Sequence, residues 1–599
     1  MTQIGATRVF TVPLLVLAIF SSALAADGDR GTGDPVLEAL TAELARSMTL
    51  QLEDLEKPYF VEYAVDDTTA HRMSATYGAI ISSDRSRSRL LYTQVRVGSY
   101  ELDNTNFGGG GAGGFGRRGG GRNRGGSAGR GATRLPIDGT QSAMRHEIWS
   151  ATDRAYKSAV ETLAQKRAYI EDRGAGDRPD DFSKEEPVQA VAALAKLSLA
   201  DLARWEETLK KVSARFLEFD SIQNATVSLS AGARNSYLVN SEGTRLRQGN
   251  RTALLRIAAE AQAADGERIN DSVEFLAPTA GELPAVDQLL AAADDLARRL
   301  AETIDAPVLD EYIGPVLFDE DASPQLFQEL ISRGVAASTG PVGGGRRRFS
   351  ATENLSKYLG KRILPRTFQV YDDPSVDRRG GTILAGHYAF DDEGVRAKRV
   401  DVVVDGKLEE LLTSRAPTKE SSLSNGHGRR SARSAPSRAS VGCLHVNSKD
   451  GLDADRLKSK LIEIARDEGL EYALRITRLS GRAGGGRMED MRAMFMRQQR
   501  GGGGGGALSD PLFVYKVYVA DGREEPVRGC EFGEISVTDL RRIAASGVEP
   551  TVYNRGAGQP GGTSIIAPGV ILEEVELFRI EQDHAPRPYI DAPHAREEG

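Results

Sequence analysis

Tyr388-Ala389-Phe390-Asp391-Asp392-Glu393-Gly394-Val395 is the stretch on which the reading of the fold depends. After it come Lys398-Arg399, an apolar strand at 401–404, the turn Asp405-Gly406-Lys407-Leu408, and Asn425-Gly426-His427-Gly428-Arg429-Arg430. Further on, Asp521-Gly522 precedes Glu525-Pro526-Val527-Arg528-Gly529, and Gly556-Ala557-Gly558-Gln559 lies near the end. As local structure these blocks are turns and strand pairs, with Gly394, Gly406 and Gly522 where tight turns need them. They predict a second half built of strands and short helices.

Outward from there, 599 residues are too many for a single core, so two or three domains are expected. The formal charge of −8 is small for this length and points to neither nucleic acid nor an anionic membrane as partner. The first residues read as a signal peptide, residues 1–25. Arg8 supplies the positive end, an apolar run follows over 9–20, and Ala23-Leu24-Ala25 is an A-x-A cleavage site. The run is short for a membrane span, and no later stretch reaches spanning length. The mature chain is therefore expected to be exported, periplasmic or secreted, without a transmembrane segment. Two cysteines, Cys443 and Cys530, cannot make a disulfide scaffold at this size, and their separation leaves open whether they pair.

The first half, 26–305, is predicted to mix helices and strands. Asp34 caps a helix that opens at Pro35, carries Leu37, Leu40, Leu44, Met48, Leu52 and Leu55 at helical spacing, and stops at Pro58. Strands are expected at 60–65, 75–82 and 89–100, helices at 142–172 and 199–218, a hairpin series over 225–262 turning at Ser241-Glu242-Gly243, and a helix at 284–304. The boundary falls near 305. The second domain, 306–585, is expected to carry a strand at 316–318, a helix at 325–331, strands at 400–404 and 408–413, a helix at 457–465 and strands at 473–479 and 512–519, with a tail over 586–599. Two Gly-rich stretches, 107–131 and 481–506, lack the apolar residues of a core and are expected as disordered insertions.

Local chemistry is sparse. Arg117, Arg118, Arg122, Arg124 and Arg130 among glycines look like an RNA-binding tract, but only Phe115 offers a ring for stacking, so a surface insertion is the better reading. The run 501–506 lacks the Lys-Ser/Thr of a phosphate loop. Met488, Met491, Met494, Phe495 and Met496 suit either a helix docked on the protein's own surface or a lid for apolar peptides. His146-Glu147 begins like a zinc helix, yet positions 150 and 151 are Ser and Ala. His71, His584 and His594 are scattered, and nothing in the spacing of His387, His427 and His445 brings them with Asp391 and Asp392 to a metal. No Gly-x-Ser-x-Gly elbow nominates a serine nucleophile.

Taken in order, the blocks resemble the TldD/PmbA family of metallopeptidases and their partners, firmly over about 306–580 and more loosely over 36–305. The resemblance implies a two-domain α+β fold. It also implies where zinc would sit: an H-E-x-x-x-H motif after an apolar strand, plus a distal cysteine. Two imidazoles and a thiolate leave one position for a water that the metal acidifies. Here the strand is Val316-Leu317-Phe318, Asp319 and Pro324 stand at the two histidines, Glu320 matches the glutamate, and Asn554 stands at the cysteine. No metal or other cofactor is then expected. Pro324-Gln325-Leu326-Phe327 is closer to the family's PmbA-type subunit, which also lacks the motif and pairs with a zinc-bearing subunit.

These readings imply an exported, non-catalytic peptide-binding or partner subunit, forming a homo- or hetero-oligomer or an assembly with an HExxxH-bearing paralogue. Two alternatives stand beside it. One is an active hydrolase with a relocated zinc site drawing on His387, His427 or Cys530; the other is a cell-envelope interaction protein that binds through the Gly-rich insertions.

Overall fold

Asp34 caps the first helix through its carboxylate, which accepts from the N–H groups of Val36 and Leu37. The computed structural model describes residues 33–108, 132–138, 140–174, 176–343, 354–430, 436–480, 508–557, 561–580, 585 and 593. Residues 1–32, 109–131 and 481–507 with the Arg and Met clusters, His584, His594 and nearly all of the tail lie outside them.

The six α-helices among the described residues are α1 (Pro35–Ser47), α2 (Gln141–Arg173), α3 (Trp205–Ala214), α4 (Val286–Asp305), α5 (Ala322–Phe327) and α6 (Ala454–Asp467). The first sheet contains β1 (Pro58–Thr76), β2 (Ala79–Val97), β3 (Thr133–Arg134), β4 (Gln189–Val191), β5 (Ile222–Asn240), β6 (Arg245–Gln262) and β7 (Arg268–Ala277). Its order is β3-β2-β1-β5-β6-β4, with β7 also on β6.

Side-chain alternation gives this sheet two faces. On one, Val61, Tyr63, Val65 and Val239 lie under α1 and α2, and Val227, Leu229, Leu255 and Ile257 lie under α3 and α4. On the other, Leu238 and Leu246 pack against Phe390 of the second domain.

The second domain begins with β8 (Glu311–Phe318), β9 (Phe368–Asp372), the small hairpin β10 (Arg378–Arg379) and β11 (Thr382–Ile383), β12 (Val400–Val404) and β13 (Lys407–Leu408). The pair β14 (Gly428–Arg429) and β15 (Arg438–Ala439) precedes β16 (Cys443–Ser448), β17 (Tyr472–Leu479), β18 (Pro511–Tyr518), β19 (Glu524–Val527) and β20 (Cys530–Phe532). Last come β21 (Ile543–Arg555) and β22 (Thr563–Arg579). The large sheet runs β13-β12-β9-β16-β22-β8-β17-β18-β19, with β20 and β21 on β22, and it is mixed: β16–β22 and β8–β17 are parallel. Leu317 faces α6 with Leu457 and Leu461, whereas Val316 and Phe318 join Leu326 and Phe327 of α5 in the main core. The α+β reading with mixed first and β-rich second parts is the architecture observed.

Several element boundaries differ from the sequence reading. The first helix ends at Ser47, and Leu52 and Leu55 are 42% and 41% exposed in the loop that follows. The strand expected over 75–82 is folded into a hairpin, with 75–76 ending one 19-residue strand, 77–78 turning, and 79–82 beginning the next. Tyr77 and Gly78 both have positive φ (43° and 84°), as a two-residue hairpin of that hand requires. The polar run after Val65 hid β1, but its charges are matched across the hairpin, Asp67 to Arg89 at 2.6 Å. The helix read over 199–218 is broken into short turns around α3, the segments 225–229 and 237–240 are one strand, and the strand at 408–413 stops at Leu408. Gly406 is required for itself: its φ is +78°, and a Cβ there would stand 2.2 Å from the Leu364 carbonyl oxygen.

Candidate functional site

β8 delivers Asp319 to the start of α5, and the Asp319 N–H donates to Ile476 O (2.9 Å), holding the turn on β17. Glu320 follows in the left-handed region (φ +45°), a costly conformation for a non-glycine residue. Between them stands Arg475 of β17. Its Nη2 lies 2.9 Å from Asp319 Oδ2 and 3.1 Å from Glu320 Oε1, and its Nη1 lies 3.3 Å from Glu524 Oε2. Partial burial raises the Glu320 carboxyl above its ordinary range while Arg475 pulls it back. Next to this group Arg478 joins Asp321 (2.7 Å) to Asp271 of β7 (2.7 Å), so the same strand ties the helix start to the first sheet.

Zinc does not fit these residues. Pro324 is buried and has no side-chain donor atom, and Asp319 and Glu320 already neutralise a guanidinium. Asn554 turns elsewhere. Its Oδ1 accepts from the Ala385 N–H (3.0 Å) and the Ser564 hydroxyl (2.6 Å), and its Nδ2 donates to Ile383 O (2.8 Å). The preceding residue, Tyr553, is the one that approaches α5, with its hydroxyl 3.5 Å from Gln325 Nε2. Among the described residues no three His, Cys, Asp or Glu side chains are grouped to hold a metal ion.

The other residues singled out from sequence do not converge either. His387 is exposed, with Nδ1 2.9 Å from Pro374 O. His427 is fully buried, with Nε2 3.3 Å from Asp372 Oδ1 and Nδ1 3.0 Å from Asn425 Oδ1. His445 stacks on Tyr371 with ring centroids 4.7 Å apart, and burial lowers its pKa. His71 lies on β1 in the first sheet, 3.2 Å from Ser83 Oγ, and His146 packs against Trp149 on α2. Both cysteines are free and buried, and burial pushes the Cys530 thiol up to about 12. Cys443 is opposite Ser564 and Cys530 opposite Arg579, 15 residues apart along β22, which is roughly 50 Å of strand.

The acidic block at 391–393 holds backbone rather than metal. Asp391 accepts from the N–H groups of Glu393, Val395 and Gly428 (2.9, 2.9 and 2.8 Å), and Asp392 accepts from the Arg430 N–H (2.8 Å). These bonds fasten the two signature turns to each other. Glu393 accepts from the Arg415 N–H at 2.7 Å. Sequence reasoning missed Arg415, Arg475 and Arg478. The available signal was three arginines set within short apolar stretches, where burial demands a paired acid.

Residues 309–463 match the PmbA/TldA metallopeptidase C-terminal domain. The metalloprotease PmbA of Escherichia coli O157:H7 is 32% identical over 136 residues, 22% of this chain and 27% of PmbA. A Synechocystis metalloprotease is 26% identical over 197 residues, 33% of this chain and 39% of that protein. The alignments thus span well under half of these relatives. Among solved structures, a Thermotoga maritima protein described as a candidate DNA gyrase modulator superposes with a TM-score of 0.55 at 15% identity, covering 86% of this chain and 96% of that one. TldE from Thermococcus kodakarensis gives 0.51 at 14%, covering 87% and 96%. Residues 309–463 thus match the family's C-terminal domain, and the solved structures share the fold of the chain.

Proposed function

We propose that this protein is an exported, non-catalytic relative of the zinc peptidases that binds peptides or completes an assembly with a metal-bearing paralogue. The observation that carries the reading is Arg475. A fixed guanidinium stands between the two carboxylates at the positions where the resemblance would put a zinc ligand and the catalytic glutamate. A cation fixed in the chain neutralises those acids but offers no open coordination position and no acidified water. Without a metal water, Glu320 has no proton to take. The apolar N-terminal run and the Ala23-Leu24-Ala25 site support export.

The test is metal analysis of the purified mature protein together with a peptide-cleavage assay run with and without chelator. Absence of stoichiometric zinc and of chelator-sensitive cleavage is expected. Stoichiometric zinc with such cleavage would overturn the proposal. Co-purification of an HExxxH-bearing chain then distinguishes a partner subunit from a free-standing peptide binder, and N-terminal sequencing checks cleavage before Ala26.

A further inference from the structure

Where the second face of the first sheet meets the 390–395 turn, the two domains leave a small open cleft. Leu238 and Leu246 supply an apolar wall. Around it stand polar side chains from both domains, among them Tyr92, Arg234 and Gln248 from the sheet and Asp392 and Arg430 from the signature turns.

Each guanidinium is fixed along one edge. Arg430 Nη2 lies 2.7 Å from Glu62 Oε1 and its guanidinium is stacked 4.4 Å from the Tyr92 ring. Arg234 Nε donates to Asp66 Oδ1 (2.8 Å) and to the Ser236 hydroxyl (2.9 Å). The remaining N–H groups of both residues suit a carboxylate. The acceptors are fixed in the same way. Asp392 uses Oδ2 for the Arg430 N–H (2.8 Å), and Gln248 spends its Nε2 on Phe390 O (3.3 Å), so a carboxylate oxygen and an amide oxygen remain for an ammonium group. Burial raises the Tyr92 hydroxyl well clear of neutral pH, keeping it a neutral donor.

A concave apolar wall with a few convergent polar groups, at a domain junction, is the ordinary form of a small-molecule site. Donors for one carboxylate and acceptors for one ammonium beside a short apolar wall describe a small zwitterion. We infer that this interdomain cleft binds a free α-amino acid with a small side chain. The site is separate from the Asp319–Arg475 group and does not depend on whether the protein is a peptidase.

Titration calorimetry on the mature full chain tests it, with L-alanine as probe and acetate and methylamine as its two halves. Saturable one-to-one binding of alanine is expected, with each half at least tenfold weaker. Asp392→Asn can still accept the Arg430 N–H, and should weaken alanine at least tenfold while acetate binds at least as well as to the wild type. Gln248→Leu, away from the buried ion pairs, should also weaken alanine. Failure of alanine to saturate by about 10 mM overturns the inference. So does an Asp392→Asn variant, shown folded by circular dichroism, that binds alanine as the wild type does.

Discussion

Arg415 of the second domain reaches Glu242 of the first, Nη2 to Oε1 2.7 Å, with side chains only 1% and 8% exposed. The same guanidinium donates to Ser183 O through Nη2 (2.6 Å) and Nε (3.2 Å) and lies 4.0 Å from the centre of the Phe182 ring. A buried charge so completely partnered is costly to break from one side, because the abandoned acid stays buried. Arg415→Met should lower unfolding stability by about 3–5 kcal/mol. Calorimetry should then resolve separate transitions for the two domains; a single transition of unchanged midpoint would show that the contact contributes nothing to their coupling.

Arg475 presents the milder case, since its carboxylate partners Asp319 and Glu320 are 31% and 53% exposed and water screens them. Arg475→Met should cost about 1–2 kcal/mol at neutral pH in urea unfolding. The loss should shrink in acid, where protonation of the carboxylates removes their mutual repulsion. An equal loss at both pH values would mean that packing of the aliphatic stem, not charge, is what Arg475 supplies.

His445 makes stability depend on pH. Its Nε2 is buried without a partner, and burial lowers its pKa, with Asp372, Asp373, Arg379 and Arg399 as the charged neighbours. The unfolded chain therefore takes up the proton more readily. The resulting stability is present above about pH 6.5 and is lost as pH falls from there through the lowered folded value. His445→Phe keeps a ring to stack on Tyr371 and removes the titration. The variant's advantage over wild type should be larger at pH 5 than at pH 7.5 by thermal melting, and equal shifts at both would refute the assignment.

Cys443 and Cys530 should each be recovered as a free thiol even under oxidising conditions. Both are buried and both thiols are raised by burial, so a thiol reagent added to the native protein should label neither. Denaturation should release two. Mass spectrometry under non-reducing conditions that found a 443–530 disulfide would contradict the strand register.

The turns were the legible part of the fold. Asp405-Gly406 and Asp521-Gly522 announce themselves because few residues tolerate positive φ, and Asp405 (φ +47°), Gly406 and Gly522 all have it. Helices α2, α4 and α6 were legible from apolar spacing. β1 was harder, because half of its length is polar and its partners, such as Arg89, lie across a hairpin that local pattern does not reveal. At the candidate site, the sequence pointed to Asp319, Glu320 and Pro324 through resemblance alone. It said nothing of Arg475, which is more than 150 residues away and reaches them only because β8 and β17 run parallel. Asn554 shows the converse. Its place in the order of blocks suggested a shared site with Asp319, yet strand alternation aims it at Ala385 and gives the approach to α5 to Tyr553.

β22 pairs with β8, β16, β20 and β21, yet it is made of residues 563–579. Its partner β8 is some 250 residues earlier, so the middle of the large sheet closes only through contacts of very long sequence separation. Such topologies fold slowly. A ribosome or a translocation channel delivering this chain from its N-terminus would release the first sheet complete long before the second could close. Until that final ribbon emerged, β8 and β16 would have open edges, the state in which nascent proteins most need a chaperone.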